Sequence, residues 1–168
     1  MIELYNFLEN HREHLVSTLL TRIPKDIPAY SRVSRNDLKQ SIEYLFEAYT
    51  DLLVTGENES QITYFKFLAK VRVSQSYQLG DIVHKLLLFL SVIRSALQVE
   101  LRDHDGDGLT LFNESMNQLE RTMFQSTATF IQVYQDYLKS RLSEHDEYLT
   151  EQNEELGVDM SKFILFRG

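Results

Sequence analysis

LTLFNESMNQLERTMFQSTATFIQVYQDYLKSRLSEHDEYLTEQNEEL, residues 109–156, contains neither Gly nor Pro. An uninterrupted helix of that length rises roughly 70 Å at 1.5 Å per residue. An average globular helix buries its apolar face in about three turns, so a helix this long is expected to do more than pack. Its first turns are expected to lie back on a helical bundle, and the remainder to carry a signal out of it or zip two subunits together. Phe124, Ile131 and Leu138 recur at heptad spacing and continue into His145 and Gln152, while Leu142, Leu149 and Leu156 form the companion stripe. Beyond Tyr137 the helix carries Lys139, Arg141, Glu144, Asp146, Glu147, Glu151, Glu154 and Glu155, too many charges for burial in a monomer. With His145 and Gln152 in place of hydrophobes, the distal seam is marginal, and so sensitive to small shifts passed on from the bundle. The chain therefore divides into a helical bundle at 1–137 and an output helix with its tail at 138–168. The closing GVDMSKFILFRG has an apolar FILF, expected to dock on the bundle or to lead into a further domain.

Upstream, the pattern is helical almost everywhere. Leu4, Phe7, Leu8, Leu15, Leu19 and Ile23 fall at three- and four-residue steps and predict a first helix over 2–23, ended by Pro24, which has no N–H to donate. IPKDIPAYSRV holds both prolines of the chain and predicts an irregular crossing. Ser34 then caps a second helix, with Asp37 three residues on, whose stripe of Leu38, Ile42, Leu45, Phe46, Tyr49 and Leu52 is closed by Gly56. After the polar GENES, residues 62–73 predict a shorter helix with Phe65, Leu68 and either Val71 or Arg72 turned inward. Residues 77–101 predict a fourth, apolar almost all round at LLLFLSVI and flanked there by Lys85 and Arg94. That places it, with Leu87, at the bundle's centre. DHDGDG breaks the chain before the long fifth helix. The expected fold class is all-α, a bundle of about five helices with a long C-terminal helix.

Bulk properties remove several function classes. With 168 residues, 43% of them hydrophobic, the chain is long enough for one well-buried core. A net charge of -8 with no basic patch argues against nucleic acid and against anionic lipid. The absence of Cys excludes disulfides, thiolate metal sites and Cys nucleophiles, and suits a cytoplasmic setting. The acidic start MIELYNFLEN is not that of a signal peptide, and the apolar run 86–93 is far shorter than a membrane span. No phosphate-cradling glycine loop and no Ser, His and Asp arrangement suggests an enzyme.

The sharpest local motif is Asp103-His104-Asp105-Gly106-Asp107-Gly108-Leu109-Thr110-Leu111-Phe112-Asn113-Glu114, which fits the twelve-residue calcium-loop pattern at each specified position. Ca2+ takes six to eight oxygens. Asp103, Asp105, Asp107, the Leu109 carbonyl and a bidentate Glu114 would supply them, with Gly108 at the sharp turn. Against this, Thr110 stands where a bulky aliphatic is usual, Leu111 stands at the water-bridging position, and no second loop exists for pairing. An Asp- and Gly-rich hexamer is also simply a good interhelical turn, with Asp107 or Thr110 capping the next helix. His11 and His14, three apart on the first helix, have a metal-compatible spacing but charged neighbours. His84 and His145 are the candidate phosphoacceptors, and His84 also a candidate haem ligand. Neither has the flanking residues such sites carry, and a lone helical His is more often structural.

LLTRIPKDIPAY followed by a capped helix, LKQSIEYLFEAYTDLLVTG and KVRVSQSYQLGDIVHKLLLFLSVIR resemble the N-terminal domain of the RsbR-type co-antagonist proteins, the RsbRD N-terminal domain family. The features are Arg-Ile-Pro then Pro-x-Tyr after the first helix, and an Arg just before a short turn that opens into an apolar helix. Ser76 stands in that turn where the family usually carries Gly. The resemblance spans roughly residues 10–100 and implies a helical sensor or regulator attached to a variable output such as a STAS domain, a histidine kinase or a DNA-binding domain. It implies no catalytic residues. The sequence thus predicts a non-enzymatic sensor domain without a cofactor, homodimeric through its helices, that relays a signal to a downstream protein or domain. A calcium-binding helix-loop-helix module and a histidine phosphotransfer domain are the competing classes.

Overall fold

The computed structural model describes residues 4–75, 77–102 and 106–156, with side chains as far as residue 150. These form five α-helices and one short 3-10 turn: α1 (Leu4–Asp26), the turn (Pro28–Arg32), α2 (Arg35–Thr55), α3 (Glu59–Ser74), α4 (Leu79–Leu101) and α5 (Gly108–Leu156). The all-α bundle with a long last helix is as the sequence predicts. Ser34 caps α2 by accepting from the Asp37 N–H at 3.1 Å, and Gly56 ends it at φ 72°, a left-handed conformation that glycine adopts without strain.

Two boundaries move. Helix α1 runs through Pro24 to Asp26. In a final turn the proline removes a single ladder bond, and the Ile27 N–H still reaches the Ile23 carbonyl at 2.9 Å, so the buried stripe continues through Ile23 to Ile27. Helix α3 starts at Glu59, earlier than predicted, because the polar GENES stretch already provides its solvated first turn. Ser76 in the following turn, residues 103–105 and the tail 157–168 lie outside the described residues.

The helices close a ring in which each packs on two neighbours, in the order α1, α2, α3, α5, α4 and back to α1. Aromatic side chains fill the middle. Phe89 meets Phe46 edge-on at 4.8 Å and Tyr49 at 5.4 Å, and Phe65 meets Phe130 edge-on at 5.3 Å. Helix α4 is long and apolar enough, by length and composition alone, to cross a bilayer; in the fold it packs on α1 and α5, with Ile82, Leu86, Phe89, Ile93 and Leu97 buried. Its two expected landmarks are corrected. Leu87 is 43% exposed, whereas Lys85, read as the border of the apolar run, is fully buried. At 3.6 residues per turn, Lys85 shares a face with Ile82 and Phe89, and Leu87 falls on the opposite side.

Helix α5 lies on the bundle through Met116, Leu119, Met123, Phe130 and Tyr134. Two polar latches fasten it: Gln61 Nε2 donates to the buried Ser126 Oγ at 2.7 Å, and the Tyr49 hydroxyl donates to the Leu119 carbonyl at 3.2 Å. The heptad stripe faces elsewhere. Phe124, in a part of the helix expected to turn its stripe onto the bundle, is 63% exposed, because the inward positions sit about a quarter-turn around the helix from it. From Leu138 to Thr150 every residue is exposed, so the helix leaves the bundle and projects from it.

Candidate functional site

Where the 3-10 turn, α2, α3 and α4 meet, the chain buries two cations among tyrosines. Arg72 continues the inward stripe of Phe65, Leu68 and Ala69 on α3, which settles the choice between Val71 and Arg72. Lys85 continues the stripe of Ile82 on α4. Arg72 is 4% exposed and Lys85 not at all. The guanidinium carbon of Arg72 lies 5.2 Å from the Tyr30 ring centre and 5.0 Å from that of Tyr77, and the Lys85 ammonium lies 5.5 Å from Tyr30. Tyrosine faces offer partial negative charge in place of a counter-ion.

The polar contacts are few. Lys85 Nζ donates to Ser41 Oγ at 2.6 Å and to the Tyr64 hydroxyl at 3.4 Å, and that hydroxyl donates to the Ser41 carbonyl at 3.1 Å. Arg72 Nη1 donates to Gln75 Oε1 at 2.7 Å, and the Tyr77 hydroxyl donates to the Ala29 carbonyl at 2.8 Å. Arg72 Nε and the Tyr30 hydroxyl are buried without partners. Among the described residues neither cation makes an ion pair. Asp81, at the start of α4, is engaged with the Gln78 N–H at 3.3 Å.

Electrostatics follow from this burial. Desolvation, with the Arg72 charge acting the same way, pushes the Lys85 ammonium from an ordinary 10.5 down to about 7. Burial pushes the Tyr64 hydroxyl up to about 12, against the opposing pull of its Ser41 hydrogen bond and of Arg72. Burial also raises Tyr30, again opposed by Arg72. Between pH 7 and 10.5 the unfolded chain holds a proton on Lys85 that the folded chain has released, so this residue makes stability rise with pH across that window. Its full cost is present below pH 7. Lys85→Met is therefore expected to stabilise the fold by about 1–4 kcal/mol at pH 6, since Ser41 and Tyr64 keep each other as partners. Urea unfolding at pH 6 and pH 9.5 checks this, the gain shrinking at the higher pH while Arg72, Tyr30, Tyr64, Tyr77 and Asp81 stay in place.

A recess of about 520 Å3 opens beside the cluster. Arg72, Ser41 and Tyr77 line it, with Leu68, Val33 and Val71 among its apolar walls.

The sites singled out in the sequence fall elsewhere. Asp103 and Asp105 of the calcium loop lie outside the described residues. Asp107, Leu109 and Glu114 are exposed, and α5 already begins at Gly108, which turns the Leu109 carbonyl along the helix axis toward the Asn113 N–H. No cluster of three or more His, Asp or Glu suited to a metal exists among the described residues. His11 packs on Phe7 with ring centres 4.6 Å apart and lies 3.7 Å from Glu100, while His14, His84 and His145 are exposed. The sequence signal for the cationic cluster is that Lys85 and Arg72 both occupy apolar-stripe positions.

Fold and site define an all-helical domain that buries a cationic cluster between three of its helices and ends in a projecting helix. The chain belongs to the family described as the RsbT co-antagonist protein rsbRD N-terminal domain, whose model matches residues 13–149. This bears out the resemblance read in the sequence and extends it along α5. The family is one of regulatory signalling domains. No curated protein and no solved structure matches the chain.

Proposed function

We propose that this chain is a non-enzymatic sensor domain that relays a signal, by rearrangement of its helices, to an attached or partner effector. The bundle at 1–137 receives the signal, and the segment 138–168 passes it on. Two copies pair through the exposed stripe of α5, in a cytoplasmic setting and in the service of a stress response. The stressosome role of the family supports the last of these and the existence of a signalling partner.

The observation that carries the proposal is the double duty of α3 and α4. Each contributes a buried cation to the cluster, and both pack along α5. A change in the cluster therefore reaches the projecting helix through one layer of packed side chains. Close-packed interfaces of this kind switch between discrete arrangements and do not deform smoothly. From Leu138 to Leu156 the helix rises about 28 Å. Its Leu142 and Leu149 remain 63% and 37% exposed.

Because the natural chain has no Cys, cross-linking tests the pairing directly. In a parallel pair, Leu142→Cys places two thiols across the seam and is expected to give a covalent dimer on mild oxidation. Glu147→Cys, on the far side of the helix, is expected to remain reduced, since a disulfide needs Cα atoms within about 7 Å. Equal cross-linking at both positions contradicts a pairing through this stripe.

A further inference from the structure

We propose that the recess beside Arg72 binds a small organic carboxylate, taken by the Arg72 guanidinium next to Ser41, with the Lys85 ammonium behind Ser41.

The site is built and lacks its charge partner. Two cations sit at 4% and 0% exposure with no carboxylate paired to either among the described residues. Buried charges are normally paired, and burying even one alone carries a large penalty. Arg72 lines the recess and retains an unmade hydrogen bond at Nε, while Nη1 is occupied by Gln75. The edge of a guanidinium that includes Nε takes a planar carboxylate by two parallel hydrogen bonds. Tyr30 and Tyr77 cover its faces, which leaves edge-on approach, and because Nε is itself buried the guanidinium turns toward the recess to pair there. Ser41 supplies a hydroxyl at the same wall, and its Oγ already accepts from Lys85 at 2.6 Å. Below about pH 7, where it keeps its proton, Lys85 thus adds field to the site without lining it.

Size and lining narrow the ligand. A volume of about 520 Å3 is within the range of small-molecule sites, and Leu68, Val33 and Val71 provide apolar walls for a compact body. Arg32 and Asp37 lie at the same opening, one charge of each sign, so most of the attraction comes from the buried Arg72. The fitting class is a monocarboxylate with an apolar or aromatic body.

Binding also has a local consequence. The Arg72 side chain holds Gln75, and the Arg72 carbonyl accepts from the Gln75 N–H at 3.2 Å and the Tyr77 N–H at 3.0 Å. A carboxylate that draws the guanidinium away from Gln75 loosens one of the ties in the turn joining α3 to α4. Whether that reaches α5 rests on the relay proposed above; occupancy of the recess does not.

The test is a thermal-shift and calorimetric series on the full chain with millimolar acetate, benzoate and phenylacetate, with benzamide and phenylacetamide as neutral counterparts and inorganic phosphate as a further arm. At least one aromatic carboxylate is expected to raise the melting temperature saturably while its amide does not. Arg72→Met is expected to weaken that binding about tenfold or more, the loss of a charge-assisted pair. Lys85→Met, expected to fold more stably than the natural chain, serves as the second variant and should weaken it less. Equal responses to each acid and its amide, or an acid response unchanged in both variants, overturn the site. A response confined to inorganic phosphate overturns the ligand class. Sedimentation in the presence of the bound acid separates the two proposals: binding with an unchanged dimerisation constant leaves the site standing and removes the relay.

Discussion

Ile93→Asp should abolish the cooperative thermal transition, whereas Leu87→Asp, six residues earlier on the same helix, should unfold near the wild-type temperature. Ile93 is fully buried and Leu87 is 43% exposed. The buried position lies more than two turns from Lys85, too far along α4 for that cation to compensate a new carboxylate. An unpaired buried charge costs about 3–5 kcal/mol, and losing the isoleucine packing adds to it, against a total stability of about 5–15 kcal/mol for an ordinary domain. The exposed position keeps the aspartate in water, with an expected cost of about 0.5 kcal/mol or less. Circular dichroism melts of the two variants give the comparison. A folded Ile93→Asp, or an unfolded Leu87→Asp, would show that α4 presents the opposite face to the core.

This pair of residues also shows how far the sequence could be read. The punctuation was legible because its chemistry is local: Ser34 and Gly56 marked the ends of α2 with a hydroxyl cap and a left-handed glycine, and both hold. The long fifth helix was legible because nothing in residues 109–156 interrupts it. Orientation within LLLFLSVI was not, because a run of apolar residues carries no periodicity to tell Leu87 from Leu86. Only the packing of α1 and α5 around α4 decides it. Pro24 misled by position, since a proline that would break a helix interior is tolerated in its last turn.

The candidate site was half visible. Arg72 was one of two choices for the inward position, but Lys85 looked like the charged border of an apolar segment. A cation on a core stripe conflicts with its neighbours' pattern, and such conflicts between local and global signals mark functional or strained positions. Of the partners that complete the cluster, Tyr64 shares α3 with Arg72, while Tyr30, Ser41 and Tyr77 come from three other segments of the chain. No spacing in the sequence brings them together; the ring of helices does.

The second large effect concerns association. In the described part of α5, Phe124, Leu138, Leu142 and Leu149 are 63%, 37%, 63% and 37% exposed, on a stripe that the bundle does not use. Leaving it in water forgoes the burial energy of several large side chains, and a second copy of the same helix covers it with heptad packing. Leu142→Lys with Leu149→Lys sets like charges across that seam. It should convert dimer to monomer at micromolar concentration while the melt of the bundle, whose contacts with α5 end near Tyr137, stays close to wild type. Raised salt screens the introduced lysines but should not restore the dimer, because the lost contribution is mainly apolar.

Sedimentation equilibrium of the wild-type chain and this double variant, at tens of micromolar and with matched helical content, therefore bears most directly on the projecting helix as the output of the domain. A dimeric wild type and a monomeric, folded variant are the predicted result; a monomeric wild type, or a variant that stays fully dimeric, would contradict it.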